Sequence, residues 1–329
     1  MKPVIAISMG DFNGIGPEVI LKSLQNFSGE ATPLLLGHLK PFRFYAEKIG
    51  ITPQFNLIKK PEEAVDGKLN VIQVHEAEEP QINPGLLSAV AGEHSMKAVE
   101  AGISLCLEKK ASALVTAPIS KEAISLAGYK VLGHTDFLAQ KTGTEFVLMM
   151  LVSGEFRVAL TTTHIPVRNV SKEITKEKIQ RSLRALHKSL KDDFSVNQPK
   201  IAVFGLNPHA GDGGVIGTEE IEIIKPAIKE LANEIAGISG PYPADGFFGQ
   251  KMQKDFDGIL AMYHDQGLAP FKALSFGNGV NFTAGLPIIR TSPDHGTAFS
   301  IAGKNMANHQ SFSEALELAV KISLKKLEK

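Results

Sequence analysis

The sequence predicts an α/β protein built on a mostly parallel sheet. Short apolar, β-rich runs alternate with segments of helical period through most of the chain. This alternation is typical of parallel strands covered by the helices that connect them. With 329 residues, of which 43% are hydrophobic and 21% charged, the chain is also too long for one small core. We therefore expect two domains, or one large α/β unit.

Six apolar runs are predicted to form strands. In chain order they are PVIAIS, TPLLLG, LNVIQV, SALVTAP, KIAVFGL and GILAMY. Amphipathic spacing predicts long helices over residues 87–109 and 175–190. Ser311 and Glu314 have the spacing of a capping box, which predicts the start of the last helix.

One segment interrupts the alternation of strands and helices. In EFVLMMLVSGEFRVALTTTHIPV, two apolar runs flank Ser153 and Gly154, which is a hairpin signal. Antiparallel strands therefore enter the otherwise parallel sheet. We interpret this change as a second domain at residues 133–268, with residues 1–132 and 269–329 forming the first domain.

Charge and cysteine content exclude several classes of protein. Thirty-five basic residues balance 35 acidic ones, so no net charge recruits nucleic acid or an anionic membrane. The single cysteine, Cys106, excludes an internal disulfide and suits a reducing compartment. The first residues resemble a buried strand more than a signal peptide, and the apolar run at 146–152 is short of the roughly 18 residues that a membrane helix needs. We expect a cytoplasmic protein.

Four predicted strand ends carry a histidine: His134, His164, His209 and His264. The loops after strand carboxyl ends form the ligand crevice of α/β sheets. Three imidazoles with one open position form a catalytic metal site, so these histidines are candidate metal ligands. A single histidine in such a loop more often hydrogen-bonds a turn. The repetition favours the metal site, although no compact metal motif is present.

Two glycine-rich segments have more than one interpretation. GDFNGIGPEV lacks the order G-x-G-x-x-G, and Asp11 would repel a pyrophosphate, so a tight turn is favoured over a dinucleotide fingerprint. GDGGVIGTEE, at 211–220, has the glycines of a phosphate-binding nest. Its acidic residues favour a flexible loop capped by Thr218 instead.

Basic residues of the last third are candidates for binding an anion. Lys272 follows HDQGLAPF, Arg290 ends the run GLPIIR, and Asn281 lies between them. The planar guanidinium of Arg290 suits a phosphate or carboxylate. Salt bridges to Asp265 or Asp294 are the structural alternative.

Eight motifs, in order from Gly10 to Lys304, resemble those of the 4-hydroxythreonine-4-phosphate dehydrogenase family, PdxA. They are GDFNGIGPE, TAPISK, LGHTDFLA, THIPV, LNPHAGDGG, GPYPADGFF, YHDQGLAPFK and GLPIIRTSPDHGTAFSIAGK. The resemblance implies a two-domain α/β/α fold like that of isocitrate and isopropylmalate dehydrogenases, which bind NAD without a Rossmann motif. One departure is Phe12, where family members often have proline.

The resemblance also assigns roles to individual residues. It implies metal ligands at His164, His209 and His264, substrate contacts at His134, Thr135, Lys272, Asn281 and Arg290, and cofactor contacts at Asp294, His295 and Gly296. The general base is left open between His134, Lys121 and a metal-bound water. A homodimer with the site between its subunits is implied, with the cofactor on the first domain and the metal ligands and dimer interface on the second.

The activity implied by the resemblance is oxidation and decarboxylation of 4-phosphooxy-L-threonine to 3-amino-2-oxopropyl phosphate, in pyridoxal phosphate biosynthesis. NAD or NADP would be the cofactor, with one divalent cation: zinc, or alternatively magnesium or cobalt. Paralogues that oxidise threonate or erythronate 4-phosphate are the nearest alternative. A zinc hydrolase of phosphorylated substrates and a two-domain binding protein are the alternatives from other classes.

Overall fold

The computed structural model describes residues 2–25, 27, 29–75 and 79–328. The chain divides into two compact units. The first unit comprises Met1–Glu145 and Leu286–Lys329, and the second comprises Phe146–Gly285. The first unit is therefore discontinuous in sequence.

Strands and helices alternate along the described residues. The strands are β1 Val4–Ser8, β2 Thr32–Gly37, β3 Phe55–Ile58, β4 Leu69–Gln73, β5 Ala113–Thr116, β6 Leu148–Ser153, β7 Phe156–Leu160, β8 Ile201–Phe204, β9 Ile238–Tyr242, β10 Gly258–Ala261, β11 Val280–Ala284 and β12 Ile289–Pro293. The helices are α1 Gly16–Gln25, α2 Leu39–Lys48, α3 Ala89–Leu107, α4 Lys121–Leu126, α5 His134–Thr142, α6 Val170–Glu173, α7 Lys176–Asp192, α8 Lys225–Leu231, α9 Ala244–Gly249, α10 His264–Ser275 and α11 Gln310–Leu327.

The strands of the first unit are all parallel, in the order β3-β4-β2-β1-β5-β12. In the second unit the order is β11-β6-β7-β10-β8-β9. There β6 pairs antiparallel with both β11 and β7, whereas β7, β10, β8 and β9 run parallel. The carboxyl ends of β7, β10 and β8 consequently meet at one edge of the sheet.

The core of the first unit lies between its sheet and α3. Leu36 and Leu114 from the sheet, and Val99 and Ile103 from α3, are at most 2% exposed. Burying a side chain of this size contributes about 1.5–3 kcal/mol, so this face is what holds α3 on the strands. The helix can begin here because the hydroxyl oxygen of Ser88 accepts a hydrogen bond from an amide of its first turn.

The core of the second unit is rich in phenylalanine. Phe204 at the end of β8 packs edge-on against Phe247 of α9, with ring centroids 5.1 Å apart. Phe271 of α10 stacks on Phe156 of β7 at the same separation. Phe204, Phe247 and Phe271 are at most 1% exposed. These contacts anchor the elements that precede and follow the strand-end loops.

The predicted fold class is confirmed. All six predicted strands are present, and the hairpin around Ser153 and Gly154 pairs antiparallel in the predicted place. Helices α3 and α7 match the two predicted long helices, with Thr175 as the N-cap of α7. Strands β3, β9, β11 and β12 were not predicted, because they are short and interrupted by polar residues or proline. Among the described residues, no helix is long and apolar enough to cross a membrane.

The predicted capping box at Ser311 and Glu314 is wrong. Helix α11 begins one residue before Ser311, with His309 as its N-cap. The Ser311 hydroxyl oxygen instead accepts a hydrogen bond from the Asp294 amide at 3.1 Å. The Ser311 side chain, which local spacing assigned to the start of the helix, therefore bonds a residue distant in sequence instead.

The units change later along the chain than the predicted boundaries at 133 and 268. Phe137 and Leu138 of α5 belong to the core of the first unit, which carries that unit on to Glu145. Leu268 and Phe271 of α10 belong to the core of the second unit. As a result, His134 and Thr135 lie in the first unit, whereas Lys272 and Asn281 lie in the second.

Candidate active site

The first unit holds a buried arginine at the site predicted to bind an anion. Arg290 stands on β12 beside Leu114 of β5, and it is 2% exposed. Its Nε and Nη2 atoms donate hydrogen bonds to the Thr116 hydroxyl oxygen at 3.2 and 2.7 Å. Burial lowers the pKa of Arg290 to about 9, so the guanidinium still carries its charge at neutral pH. Sequence reasoning missed Thr116, which opens the motif TAPISK at the end of a predicted strand but was given no role of its own.

His134 is the first residue of α5, directly after Gly133. Its Nε2 atom is buried and has no hydrogen-bond partner. Burial, and secondarily the charge of Arg290, holds the pKa of His134 well below its usual value, so the ring is neutral. A buried nitrogen without a partner is costly unless a ligand satisfies it. Thr135 follows in the first turn of the helix, where backbone amides favour an anion.

Lys121 lies next to this loop. It is the first residue of α4, its side chain is exposed, and Ser120 caps the helix. The Cε atom of Lys121 is 3.7 Å from the point where a Cβ of Gly133 would stand. The structure thus places Lys121 beside Gly133, which directly precedes His134.

Asp294, His295 and Gly296, which are predicted to contact the cofactor, lie in the loop of residues 294–297. The backbone amide of Asp294 donates a hydrogen bond to the Ser311 hydroxyl oxygen of α11. The Nδ1 atom of His295 is 3.1 Å from the carbonyl oxygen of Gly296, and its Nε2 atom is buried without a hydrogen-bond partner. Gly296 is exposed. An unpartnered imidazole nitrogen beside an exposed glycine suits a polar group of a dinucleotide.

The turn between β1 and α1 does not have the form of a phosphate-binding loop. Asp11 is fully buried, and its Oδ1 atom accepts a hydrogen bond from the Asn13 amide at 2.9 Å. The Ile15 amide donates to the Thr297 carbonyl oxygen at 3.0 Å. Because these amides already have partners, the structure agrees with the tight-turn interpretation of GDFNGIGPEV.

In the second unit, His164 and His264 come together at the sheet edge formed by β7, β10 and β8. Their ring centroids are 5.8 Å apart, close to the roughly 5 Å expected for two imidazoles on one tetrahedral ion. The Nδ1 atom of His264 is 2.6 Å from Asp265 Oδ1. This contact orients the ring and leaves Nε2 for a metal, as carboxylate partners of ligating histidines do.

His209 lies in the loop after β8, but it does not complete a three-residue site. In the part of the chain that the structure describes, no three His, Cys, Asp or Glu side chains are placed to hold a metal ion. His209 begins a run of six residues with positive φ, from 54° at His209 to 101° at Gly214. Non-glycine residues adopt this conformation at a cost, and such strain persists only where the surroundings enforce it.

Glu220 holds the backbone just before this strained run, and sequence reasoning missed it. It is 1% exposed, and its Oε1 atom accepts hydrogen bonds from the amides of Leu206 and Asn207 at 2.7 and 2.8 Å. Its Oε2 atom accepts one from Asn207 Nδ2 at 2.9 Å. The segment 211–220 was interpreted as a flexible acidic loop. The structure instead shows one of its acidic residues buried and bonded to the backbone of the His209 loop.

Lys272 and Asn281 both belong to the second unit. Lys272 is exposed in the second half of α10. Asn281 is partly buried on β11, opposite Leu151 of β6. Their contact with substrate stays a prediction.

These features define a class: an α/β protein whose first unit buries a cation close to a neutral histidine, and whose second unit pairs two histidines at strand ends. The family described as pyridoxal phosphate biosynthetic protein PdxA matches residues 29–319. The chain belongs to this family, and it is an oxidoreductase.

Similar proteins cover nearly the whole chain. A 4-hydroxythreonine-4-phosphate dehydrogenase of Prosthecochloris aestuarii is 46% identical over 98% of both chains. A D-threonate 4-phosphate dehydrogenase of Cupriavidus necator is 42% identical, also over 98% of both. The crystal structure of a 4-hydroxythreonine-4-phosphate dehydrogenase from Klebsiella pneumoniae superimposes with a TM-score of 0.90 at 38% identity, over 98% of both chains.

Proposed function

We propose that the chain oxidises and decarboxylates 4-phosphooxy-L-threonine to 3-amino-2-oxopropyl phosphate with NAD or NADP. The observation that carries the proposal is Arg290, a buried cation held by Thr116 beside the unpartnered Nε2 atom of His134. This arrangement suits a phosphorylated substrate. The similarity to 4-hydroxythreonine-4-phosphate dehydrogenases supports the choice of substrate.

In this proposal Arg290, His134 and Thr135 bind the phosphate group of the substrate. A neutral His134 can donate one hydrogen bond from Nε2, and the first turn of α5 adds backbone amides. Lys272 and Asn281 are proposed as further substrate contacts. Gripping a phosphate that does not react holds the reacting carbon in place, which is how remote binding energy assists catalysis.

Lys121 and His134 remain the side chains proposed to take the hydroxyl proton. The lowered pKa of His134 makes it a weak base before substrate binds. A phosphate dianion beside Arg290 would offset that charge and raise the pKa of His134 again. Lys121 lies beside Gly133 and is the alternative acceptor of the hydroxyl proton.

A divalent cation is proposed to bind at His164 and His264, with His209 of the partner subunit as its third ligand. The pair within one chain has the separation of two ligands, whereas no described trio of such side chains is assembled in the same chain. A homodimer would resolve this difference. When bound, the cation would polarise the substrate oxygen for oxidation and stabilise negative charge during loss of carbon dioxide. Zinc suits imidazole ligands best, with magnesium and cobalt as alternatives.

The cofactor is proposed to bind at Asp294, His295 and Gly296. The buried Nε2 atom of His295 would then gain a partner from the dinucleotide. Whether NAD or NADP is preferred would be measured by comparing kcat/KM for the two.

A panel of four-carbon acid phosphates tests the proposed reaction. We expect NADH to form with 4-phosphooxy-L-threonine, to be lost when the protein is stripped of metal, and to return when zinc or cobalt is added. A higher kcat/KM with D-threonate 4-phosphate would identify the paralogue that the second relative exemplifies. Release of inorganic phosphate without NADH would support the hydrolase and reject the dehydrogenase.

Mixing two inactive variants tests whether the metal site is shared. If each site combines His264 of one chain with His209 of the partner subunit, randomly reassociated His264→Ala and His209→Ala chains contain one intact site in each heterodimer. We expect recovery of about a quarter of the wild-type activity, because about half of the dimers are mixed and each has one intact site of two. No recovery would place His209 and His264 of each site on the same chain.

A further inference from the structure

Three segments of the first unit contact one another: the turn at residues 11–15, the loop at residues 83–86 and the chain from residue 294 to residue 303. The turn touches the cofactor loop, residues 294–297, through the bond from the Ile15 amide to the Thr297 carbonyl oxygen at 3.0 Å. Gly14 lies so close that a Cβ there would stand 2.8 Å from the same oxygen. The turn and the cofactor loop are therefore packed backbone against backbone.

Asn13 joins this turn to a third loop, residues 83–86. Its Nδ2 atom donates to the Leu86 carbonyl oxygen at 3.0 Å, and its Oδ1 atom accepts from the Asn83 amide at 2.8 Å. The Asn13 carbonyl oxygen also accepts from the Gly85 amide at 2.7 Å. Asn13 is 1% exposed. One buried amide side chain thus makes both of its hydrogen bonds to the backbone of a loop about 70 residues away in sequence.

The 83–86 loop in turn contacts the chain that follows the cofactor loop. A Cβ on Gly85 would lie 2.9 Å from the Phe299 carbonyl oxygen, and a Cβ on Gly303 would lie 3.0 Å from Pro84. The three segments therefore contact one another in a closed circuit. The turn contacts the cofactor loop directly, and the 83–86 loop contacts Phe299 and Gly303, which follow it in the chain.

We propose that Asn13 is a positioning residue that holds the cofactor loop in the conformation that binds the nicotinamide dinucleotide. This inference rests on the proposed function, which places the cofactor at Asp294, His295 and Gly296. The loop is irregular and partly exposed, so its order comes from its neighbours. A loop that is ordered before binding loses less conformational entropy when the ligand arrives, and its affinity is higher for that reason.

Asn70 provides a matched control for a purely structural role. It is also 1% exposed, its Nδ2 atom donates to the Val65 carbonyl oxygen at 3.1 Å, and its Oδ1 atom accepts from the Val65 amide at 2.9 Å. It stands on β4 of the same unit, where its bonds join strand and loop residues between 56 and 70. Its loss should lower stability as the loss of Asn13 does, without reaching the cofactor loop.

The experiment compares Asn13→Ala, Asn13→Asp and Asn70→Ala with the wild-type protein. NADH affinity is measured by fluorescence titration, inorganic phosphate affinity by calorimetry, and the melting temperature is recorded for each variant. We expect Asn13→Ala to weaken NADH binding about tenfold and to leave phosphate affinity within about twofold. Asn13→Asp keeps the acceptor for the Asn83 amide and loses the donor to Leu86, so its effect should be intermediate.

Equal NADH affinity of Asn13→Ala and Asn70→Ala at similar melting temperatures would overturn the proposal. If Asn13→Ala does not fold, an Asn13→Asp protein with wild-type NADH affinity has the same consequence. Failure of the wild-type protein to bind NADH or NADPH is a different result. It would reject the proposed cofactor and, with it, the role of Asn13.

Discussion

Among individual residues, Thr116 has the clearest effect on the proposed substrate site. Its hydroxyl oxygen accepts two hydrogen bonds from the guanidinium of Arg290, which is almost fully buried. Bonds to a charged group contribute about 1.5–3 kcal/mol each, and a buried charge that loses its partners is costly. Thr116 therefore helps to fix the position of the cation that is proposed to bind phosphate.

We expect Thr116→Val to raise KM for the phosphorylated substrate about tenfold, equivalent to about 1.4 kcal/mol, with a smaller change in kcat. Arg290→Ala should cost more, about 2–4 kcal/mol in kcat/KM, because the charge itself is lost. Steady-state kinetics measures both. Thr291→Val is the control, since Thr291 is the next residue of β12, is equally buried, and donates to the Ala315 carbonyl oxygen instead. An equal rise in KM for Thr291→Val would show that general loosening of β12 is responsible.

At the scale of elements, the loop after β8 depends on a contact with the segment that precedes α8. Glu220 bonds the amides of Leu206 and Asn207, just before the left-handed run that begins at His209. The strained backbone and the buried carboxylate belong together, because strain of this kind relaxes unless other contacts oppose it.

Glu220→Gln is predicted to weaken metal binding about tenfold. The glutamine NH₂ group would face the NH₂ group of Asn207, so one hydrogen bond would be lost and the His209 loop would be held less firmly. Titration with Co²⁺, followed by its visible absorption, measures the affinity without any assay of turnover. Glu219→Gln is the control, because it makes the same substitution at the preceding residue. Glu219 accepts hydrogen bonds from the Ser171 hydroxyl and from Asn207 Nδ2 but from no backbone amide of the His209 loop. Equal cobalt affinities for the two variants would contradict the role given to Glu220.

At the scale of the whole molecule, the first unit buries titratable groups whose effects on stability oppose each other. Burial raises the pKa of Asp11 to about 6. Burial lowers the pKa of His94 to about 4, and the neighbouring His75 and His38 lower it further, whereas Glu93 acts in the opposite direction. His94 stacks on His75 with ring centroids 4.5 Å apart.

The sign follows from which state binds more protons. Between pH 4 and 6.5 the unfolded chain protonates His94 while the folded chain does not, so stability falls as the pH is lowered through this range. Asp11 has the opposite effect: below pH 6 the folded chain takes up a proton before the unfolded one, so stability falls as the pH rises from about 4 to about 6. Each shift corresponds to about 3 kcal/mol at most.

We therefore expect Asp11→Asn to steepen the loss of stability between pH 6.5 and 4, and His94→Leu to flatten or reverse it. Urea unfolding at several pH values measures the free energy of unfolding for each protein. The lowered pKa values of His38 and His134 act in the same direction as that of His94, so the wild-type protein should still lose stability on acidification. Parallel curves for wild type and Asp11→Asn would show that Asp11 titrates normally.

Much of the fold could be predicted from the sequence, because its signals are local. Apolar runs of strand length, helical periodicity and the turn at Ser153 and Gly154 each lie within a few consecutive residues. They correctly predicted six strands, the antiparallel hairpin and two long helices. The ordered motifs predicted the family, and the family was confirmed. The polar residues at strand ends also identified the histidines that the structure places after β7, β8 and β10.

The contacts that shape the site were decided only by the tertiary structure. Thr116 meets Arg290 across 174 positions of sequence, and Asn13 meets Leu86 across 73. Each lies in a motif, but the motif does not name its partner, which is determined by the loops that the packed strands bring together. The same packing separates His209 from the pair formed by His164 and His264. In the sequence all three follow predicted strands, so the sequence had grouped them together. Local chemistry thus identified the candidate ligands, whereas strand order and burial determined which of them meet.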